Sequence, residues 1–317
     1  MVLRLQSILA CSFLLLVAGA QAPASETPGA LHLRMIQKHP APALTRLSGR
    51  EFKWLVDPAR LPQAPEAAFA ELWSRVEGAA EKAGFVTASR KGAKALKLET
   101  AVKEYLDTPG QDLWKQGYVL RVTAKARKGG GLRSVTVKAI HAEFERTMAT
   151  PLLVQGAPAI TEAEGNVGFG REGRLAEYVE KGSTWQVAAE ELASLSLGDF
   201  GKYMPELLKL GLPASTRLVS TKVYALQVKA GSLTAPGVDP LPVSMEGWSR
   251  TEGGPIFLFD LSYRLAGSYY QGAASHEAAE RFMTQVLGGE LKDLNLPTSG
   301  RWGGSKVRAL LNRPLSE

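Results

Sequence analysis

Alternation of apolar and polar positions is clearest between residues 118 and 140. In residues 118–127 (YVLRVTAKAR), Arg121, Thr123, Lys125 and Arg127 share one face, while Leu120, Val122, Ala124 and Ala126 share the other. That is the period of two of a strand. Residues 128–131 (KGGG) turn the chain, and residues 134–140 (SVTVKAI) alternate again, with Thr136 and Lys138 on one face. The pattern predicts a hairpin with a basic face and an apolar face. Its polar face has two readings, water or an enclosed interior, and the first is the usual fate of an antiparallel sheet. Further strands are predicted over residues 50–56, 96–106, 217–228, 243–250 and 257–265. Helical spacing is strongest over residues 65–84, where Phe69, Leu72, Trp73, Val76, Ala79, Ala80 and Ala83 recur and Gly84 sits at the cap position. Residues 186–210 are expected to contain helix, broken near 198–201. Ser275 is the N-cap of a helix carrying Phe282, Val286 and Leu287, and a last short helix is expected near 307–311. Residues 150–175, rich in Gly, Pro and Ala, read as a long irregular loop. Six or more strands, helices at intervals and no separating linker predict one α+β domain over residues 45–317, built on an antiparallel sheet.

The first residues change the picture of where that domain works. Arg4, an apolar run from Ile8 to Val17 broken only by Ser12, and Ala18-Gly19-Ala20 have the order of a cleavable export signal. The run is too short to span a hydrocarbon core, so residues 1–20 are read as a signal peptide and the mature chain as periplasmic or secreted. Residues 21–44, rich in Ala and Pro, are read as a flexible leader. Cys11 is the single cysteine, so the mature chain has no disulfide, no thiol nucleophile and no cysteine–zinc site. No later stretch is apolar enough to predict a membrane span. The formal charge of +7 favours an acidic partner. No Lys/Arg-rich block marks a nucleic-acid arm, and the oligomeric state is left open.

Several chemistries lack their motifs. There is no G-x-x-x-x-G-K-[ST] loop, no H-E-x-x-H and no G-x-S-x-G elbow, and residues 168–173 (GFGREG) read as loop. His32 and His39 fall in the leader, and His141 and His276 are not at metal-ligand spacing. Basic side chains on strands remain: Lys53, Arg121, Lys125, Lys138, Arg217 and Lys222. The acidic Glu51, Glu143, Glu145, Glu246 and Asp260 lie among or after them. A barrel closed with these faces inward would have a cationic bore. Buried cations are costly unless paired, so such a bore implies an anion.

Residues 105–121 read YLDTPGQDLWKQGYVLR and resemble the Y-x-D-T-P…G…L-R segment of the CYTH, or triphosphate tunnel, family. Residues 135–138 (VTVK) stand where that family has T-L-K. Glu143 and Glu145 resemble the acidic pair that follows it, and Ser305-Lys306-Val307-Arg308 is similar to its S-K-x-x-R close. The resemblance extends loosely over residues 48–311. It implies an eight-stranded antiparallel barrel forming a tunnel, flanked by helices, that binds triphosphate-bearing ligands with Mg or Mn. On that basis Lys53, Arg121, Lys125, Lys138, Arg217 and Lys222 would hold phosphate, and Glu51, Glu246 and Asp260 would hold the metal. Catalytic residues are not assigned. The family's E-x-E-x-K reads Gly49-Arg50-Glu51-Phe52-Lys53 here, and its late E-x-E falls at Leu258-Phe259-Asp260. The phosphate-holding cations are thus better kept than the metal-holding acids. This favours binding of a triphosphate or polyphosphate-type anion over its metal-dependent hydrolysis, and the alternative is an exported structural or partner-binding domain of the same fold.

Overall fold

The computed structural model describes residues 27–39, 41–92, 95–125, 131–267, 269 and 272–315. The signal segment and Arg127 lie outside the described residues. Ten strands are described: β1 (Gly49–Val56), β2 (Val86–Ser89), β3 (Glu99–Asp107), β4 (Tyr118–Lys125), β5 (Leu132–Ala139), β6 (Ala159–Phe169), β7 (Leu175–Ala188), β8 (Val219–Thr234), β9 (Leu241–Ser249) and β10 (Ile256–Ala266). Their order is β2-β8-β3-β4-β5-β7-β6-β1-β10-β9, and β8 also pairs with β9. That last pairing closes nine strands into a barrel. The short β2 stays outside, joined to the end of β8 beyond β3. All pairings are antiparallel except β1 with β6, which run parallel with Glu51 opposite Asn166. The expected eight-stranded antiparallel barrel is therefore corrected to nine strands in mixed orientation.

The additional strands come from a stretch read as loop. Residues 150–175 hold β6 and lead into β7, and residues 186–188 still belong to β7. The Gly content there serves close packing. A side chain at Gly165 would collide with Glu177 and Tyr269, and one at Gly168 with the backbone of Gly303. The outward faces of β6 and β7 carry Gly165, Glu177, Lys181 and Ser183 among their apolar residues, so these strands lack the alternation that reveals a half-buried strand.

Helices cover the outside: α1 (Ala30–Lys38), α2 (Ala41–Leu44), α3 (Pro65–Lys82), α4 (Asp112–Lys115), α5 (Phe144–Ala149), α6 (Leu197–Gly201), α7 (Ala273–Arg281), α8 (Ser299–Trp302) and α9 (Lys306–Leu311). A π-helical segment, Phe282–Glu290, continues α7. The largest apolar cluster lies between this layer and the outer faces of β1, β8, β9 and β10. It includes Phe52, Trp54, Phe69, Leu72, Phe259, Tyr263 and Phe282. Each such large side chain fully buried is worth about 1.5–3 kcal/mol. A second cluster lies outside β4, β5 and β7, with Leu120, Val122, Val135, Val137 and Trp185 packed against Leu197, Phe200 and Leu207. The apolar face of the hairpin is thus the outer one, under its own cover, and its basic face turns into the barrel. Within residues 21–44, expected to be a flexible leader, Ala30–Lys38 and Ala41–Leu44 are helical, with Leu31, His32, Met35 and Leu44 buried. Where helix was expected over 186–210, α6 is a short helix running through the predicted break, flanked by 3-10 turns.

Candidate functional site

Strand register sets the order of the inward side chains along the bore. At one end Leu55, Tyr105, Val119, Val223, Trp248 and Leu258 meet Trp302 and Leu310 of α8 and α9 in an apolar plug. This closed end is the floor. The D-T-P segment lies beside it as structure. The Asp107 carboxylate accepts from the backbone N–H of Thr108 (2.7 Å), Leu113 (2.9 Å) and Trp114 (3.1 Å), and so fixes the first turn of α4. At the other end are Glu99 of β3, Lys229 of β8, Ser262 and Arg264 of β10 and Glu162 of β6, around an open mouth. Between floor and mouth lies a cavity of about 550 Å³. Eight cationic side chains line it against five carboxylates, an excess of three positive charges. A second space of about 300 Å³ shares Glu51, Arg121, Lys138 and Glu180 with the first and reaches the mouth past Glu162, Glu164 and Arg264.

Most of the charges in the bore are matched in pairs. Glu51 and Lys53, two apart on β1 and hence on one face, are 3.1 Å apart. Lys138 pairs with Glu180. Lys103 pairs with Glu246, whose same oxygen accepts from Trp248 Nε1 at 2.8 Å. Glu246 and Asp260 face each other across β9 and β10, and the ammonium of Lys306 joins them, at 2.7 Å from Glu246. Burial alone would raise the Glu180 carboxyl, but Lys138 and Lys53 hold it down at about 2. Burial, helped by Glu246 and Glu51, raises Asp260 to about 6 against the pull of Lys306. Burial lowers Lys103 to about 8, with Arg121 and Lys306 adding to the shift and Glu246 opposing it.

Arg121 is different. Its guanidinium donates to Thr136 Oγ1 at 3.2 Å, and its Nε is buried without a hydrogen-bond partner. No carboxylate forms an ion pair with it among the described residues. Arg121 as a whole is half-buried, and a cation partly withdrawn from water without a counter-charge gains when an anion arrives.

Six of the nine side chains singled out from the sequence meet in this cavity: Glu51, Lys53, Arg121, Lys138, Glu246 and Asp260. Three do not line it. Arg217 is exposed ahead of β8. Lys222 is exposed on the outer face of β8, in register with Glu104. Lys125 has inward parity on β4 but is exposed at the mouth end. Glu143 and Glu145 are exposed at the start of α5. Lys103, Glu180 and Lys306 were missed. Lys306 stood in the quoted S-K-V-R segment, and Lys103 shares a strand face with Ala101 and Tyr105 on β3, so both had a signal. Glu180 had none, because its strand was not recognised.

The expected metal site does not fit as assembled. Each of Glu51, Glu246 and Asp260 already has a lysine ammonium as partner. No group of three Asp, Glu, His or Cys side chains able to hold a metal ion occurs among the described residues. Mg and Mn prefer oxygen donors free of other cations. A different cluster joins residues left apart by the sequence reading. Buried Arg50 faces outward from β1 and binds Glu177 (2.7 Å) and Glu280 (3.0 Å), while the His32 and His276 rings pack 3.9 Å apart. Arg50 therefore adds no charge to the bore. No helix among the described residues is long and apolar enough to cross a membrane.

No family model and no curated protein matches the sequence. Among solved structures, the chain is similar to a candidate adenylyl cyclase of Hippeastrum for which a dominant triphosphatase activity is described. Identity is 12%, coverage 84% of this chain and 96% of that one, and the TM-score 0.41. A candidate adenylate cyclase of Bacillus halodurans gives 15% identity, 83% and 96% coverage and a TM-score of 0.38. A protein of Pyrococcus horikoshii gives 15%, 74%, 89% and 0.30. These neighbours are of the CYTH type that the sequence motifs resemble. At such identities and scores, the chemistry has to be read from this chain's own cavity.

Proposed function

We propose that this protein binds a linear phosphate anion, of the triphosphate or short polyphosphate kind, inside the barrel. The observation that supports this best is Arg121, a guanidinium aimed into a cavity with an excess of cations and without a carboxylate of its own. Guanidinium suits phosphate because its planar fork of N–H donors matches two oxygens at once. Lys138 and Lys53, beside it, add point charges that any phosphate oxygen can meet from several directions. The depth of the bore suits an extended chain of phosphoryl groups better than a flat anion. The reading is of a binding protein first. Hydrolysis would need a group to orient water at phosphorus, and of the five carboxylates lining the cavity all but Glu99, at the mouth, are engaged with lysines. Export is part of the proposal: the order of charged, apolar and small residues over 1–20 supports a ligand met outside the cytoplasm.

The test is calorimetric titration of the purified mature chain with tripolyphosphate, with phosphate release assayed in parallel. Binding is expected, and Arg121→Ala should weaken it by about 1.5–3 kcal/mol, the worth of a charge-assisted hydrogen bond, or about 10-fold and upward. An unaltered affinity in Arg121→Ala, with the fold intact by circular dichroism, would remove the reading. Turnover that requires added Mg or Mn would make the protein a hydrolase instead.

A further inference from the structure

We infer that Lys306 is a built-in cation standing where a divalent metal would otherwise bridge Glu246 and Asp260, so that the barrel takes its phosphate anion without a metal. This rests on the reading of the barrel as a phosphate site.

Charge balance comes first. Glu246 and Asp260 together carry two negative charges, and Lys306 and Lys103 meet them with two positive ones. A divalent ion added to this group would bring an uncompensated double charge into a buried site. Geometry comes second. Lys306 Nζ donates to one oxygen of each carboxylate, and the remaining oxygen of Glu246 accepts from Lys103 and Trp248. The metal would have to expel an ammonium rather than a water. Tethering comes third. Lys306 is the first residue of α9, whose cap Ser305 accepts from the Arg308 N–H. The Gly303-Gly304 turn before it lies so close to β6 and β1 that Gly168 has no room for a side chain against the Gly303 backbone, nor Gly304 against the Lys53 carbonyl. The backbone thus delivers the lysine to the carboxylates, above the apolar floor. The ammonium also lies 5.3 Å from the Trp248 ring centre, a further favourable contact for a cation.

The experiment uses Mn2+ alone, with free ion followed by electron paramagnetic resonance, on the mature chain. The native protein is expected to show no saturable uptake. Lys306→Gln, which frees both carboxylates, should gain saturable uptake, and Lys306→Gln with Asp260→Asn should lose it again. Tripolyphosphate affinity of the native protein should be the same in EDTA as in Mg2+. Uptake by the native protein that Asp260→Asn abolishes overturns the inference, whether or not the Lys306 variants fold. So does a folded Lys306→Gln that takes up no Mn2+, or a native protein that binds tripolyphosphate only with Mg2+. Absence of tripolyphosphate binding in both conditions would instead sink the phosphate reading, and the Mn2+ arm would still decide what Lys306 does.

Discussion

Lys103 sits in the closed half of the bore, its ammonium paired with Glu246 and crowded by Arg121 and Lys306. Burial and those two cations bring it down to about 8, far below the ordinary lysine value of about 10.4. Two consequences have opposite signs. Between those values the unfolded chain holds a proton that the folded chain has lost, so this residue's contribution to stability rises with pH across the window. Ligand affinity moves the other way. An anion bound in the bore as proposed would favour the ammonium, so above about pH 8 its binding would take up a proton, and affinity would fall as pH rises. Tripolyphosphate affinity is therefore expected to weaken from about pH 7 to about pH 9 in the native protein, relative to Lys103→Gln. Using the variant as reference cancels the ligand's own titration. Parallel pH profiles for the two proteins would show that Lys103 does not titrate against the ligand.

At the scale of elements, Arg50 shows how β1 serves two sites at once. Odd positions of the strand, Glu51 and Lys53, enter the bore; even positions face the helices. Arg50 is even, and it ties Glu177 of β7 to Glu280 of α7. The Glu280 carboxylate in turn accepts from the backbone N–H groups of Leu31 and His32, and so anchors the start of α1. Arg50→Ala leaves two buried carboxylates without a cation and is expected to cost about 3–5 kcal/mol, read as a lowered urea midpoint. A shift below about 1 kcal/mol would mean that the acids find water or protons instead. The same node explains what could be read in advance. Strands with one apolar face, such as β4 and β5, announced themselves by alternation, and α3 by its helical period. Ala30–Lys38 did not, because its start is anchored by a carboxylate some 250 positions away in sequence, which leaves no local sign. For the site, Lys53, Arg121, Lys138, Glu246 and Asp260 were legible as charges with strand parity. Parity alone gave no direction for Lys222, which lies on the outer face, nor for Arg217, which lies ahead of its strand.

The whole molecule is a barrel with a floor. The apolar plug of α8 and α9 shuts one end, so a linear anion bound as proposed would enter by its terminus from the mouth rather than thread the bore. The mouth is itself uneven in charge. Arg90, Lys97 and Lys229 gather on the side of β2, β3 and β8, while Glu162 and Glu164 lie across on β6. Cations at a rim act on encounter more than on the bound state, because they steer an approaching anion while staying in water. Neutralising all three, as Arg90→Gln, Lys97→Gln and Lys229→Gln together, should therefore slow association of tripolyphosphate by about 10-fold or more at low salt and leave dissociation nearly unchanged. Added salt should erase the difference, since screening at about 0.15 M falls to within a length of about 8 Å. Arg121→Ala should do the reverse, speeding dissociation with little effect on association, because that guanidinium is met only inside. Stopped-flow traces of the two variants separate these effects. A rim variant that changes only dissociation would place those three side chains on the bound anion, and entry would then have to be sought on the other side of the mouth.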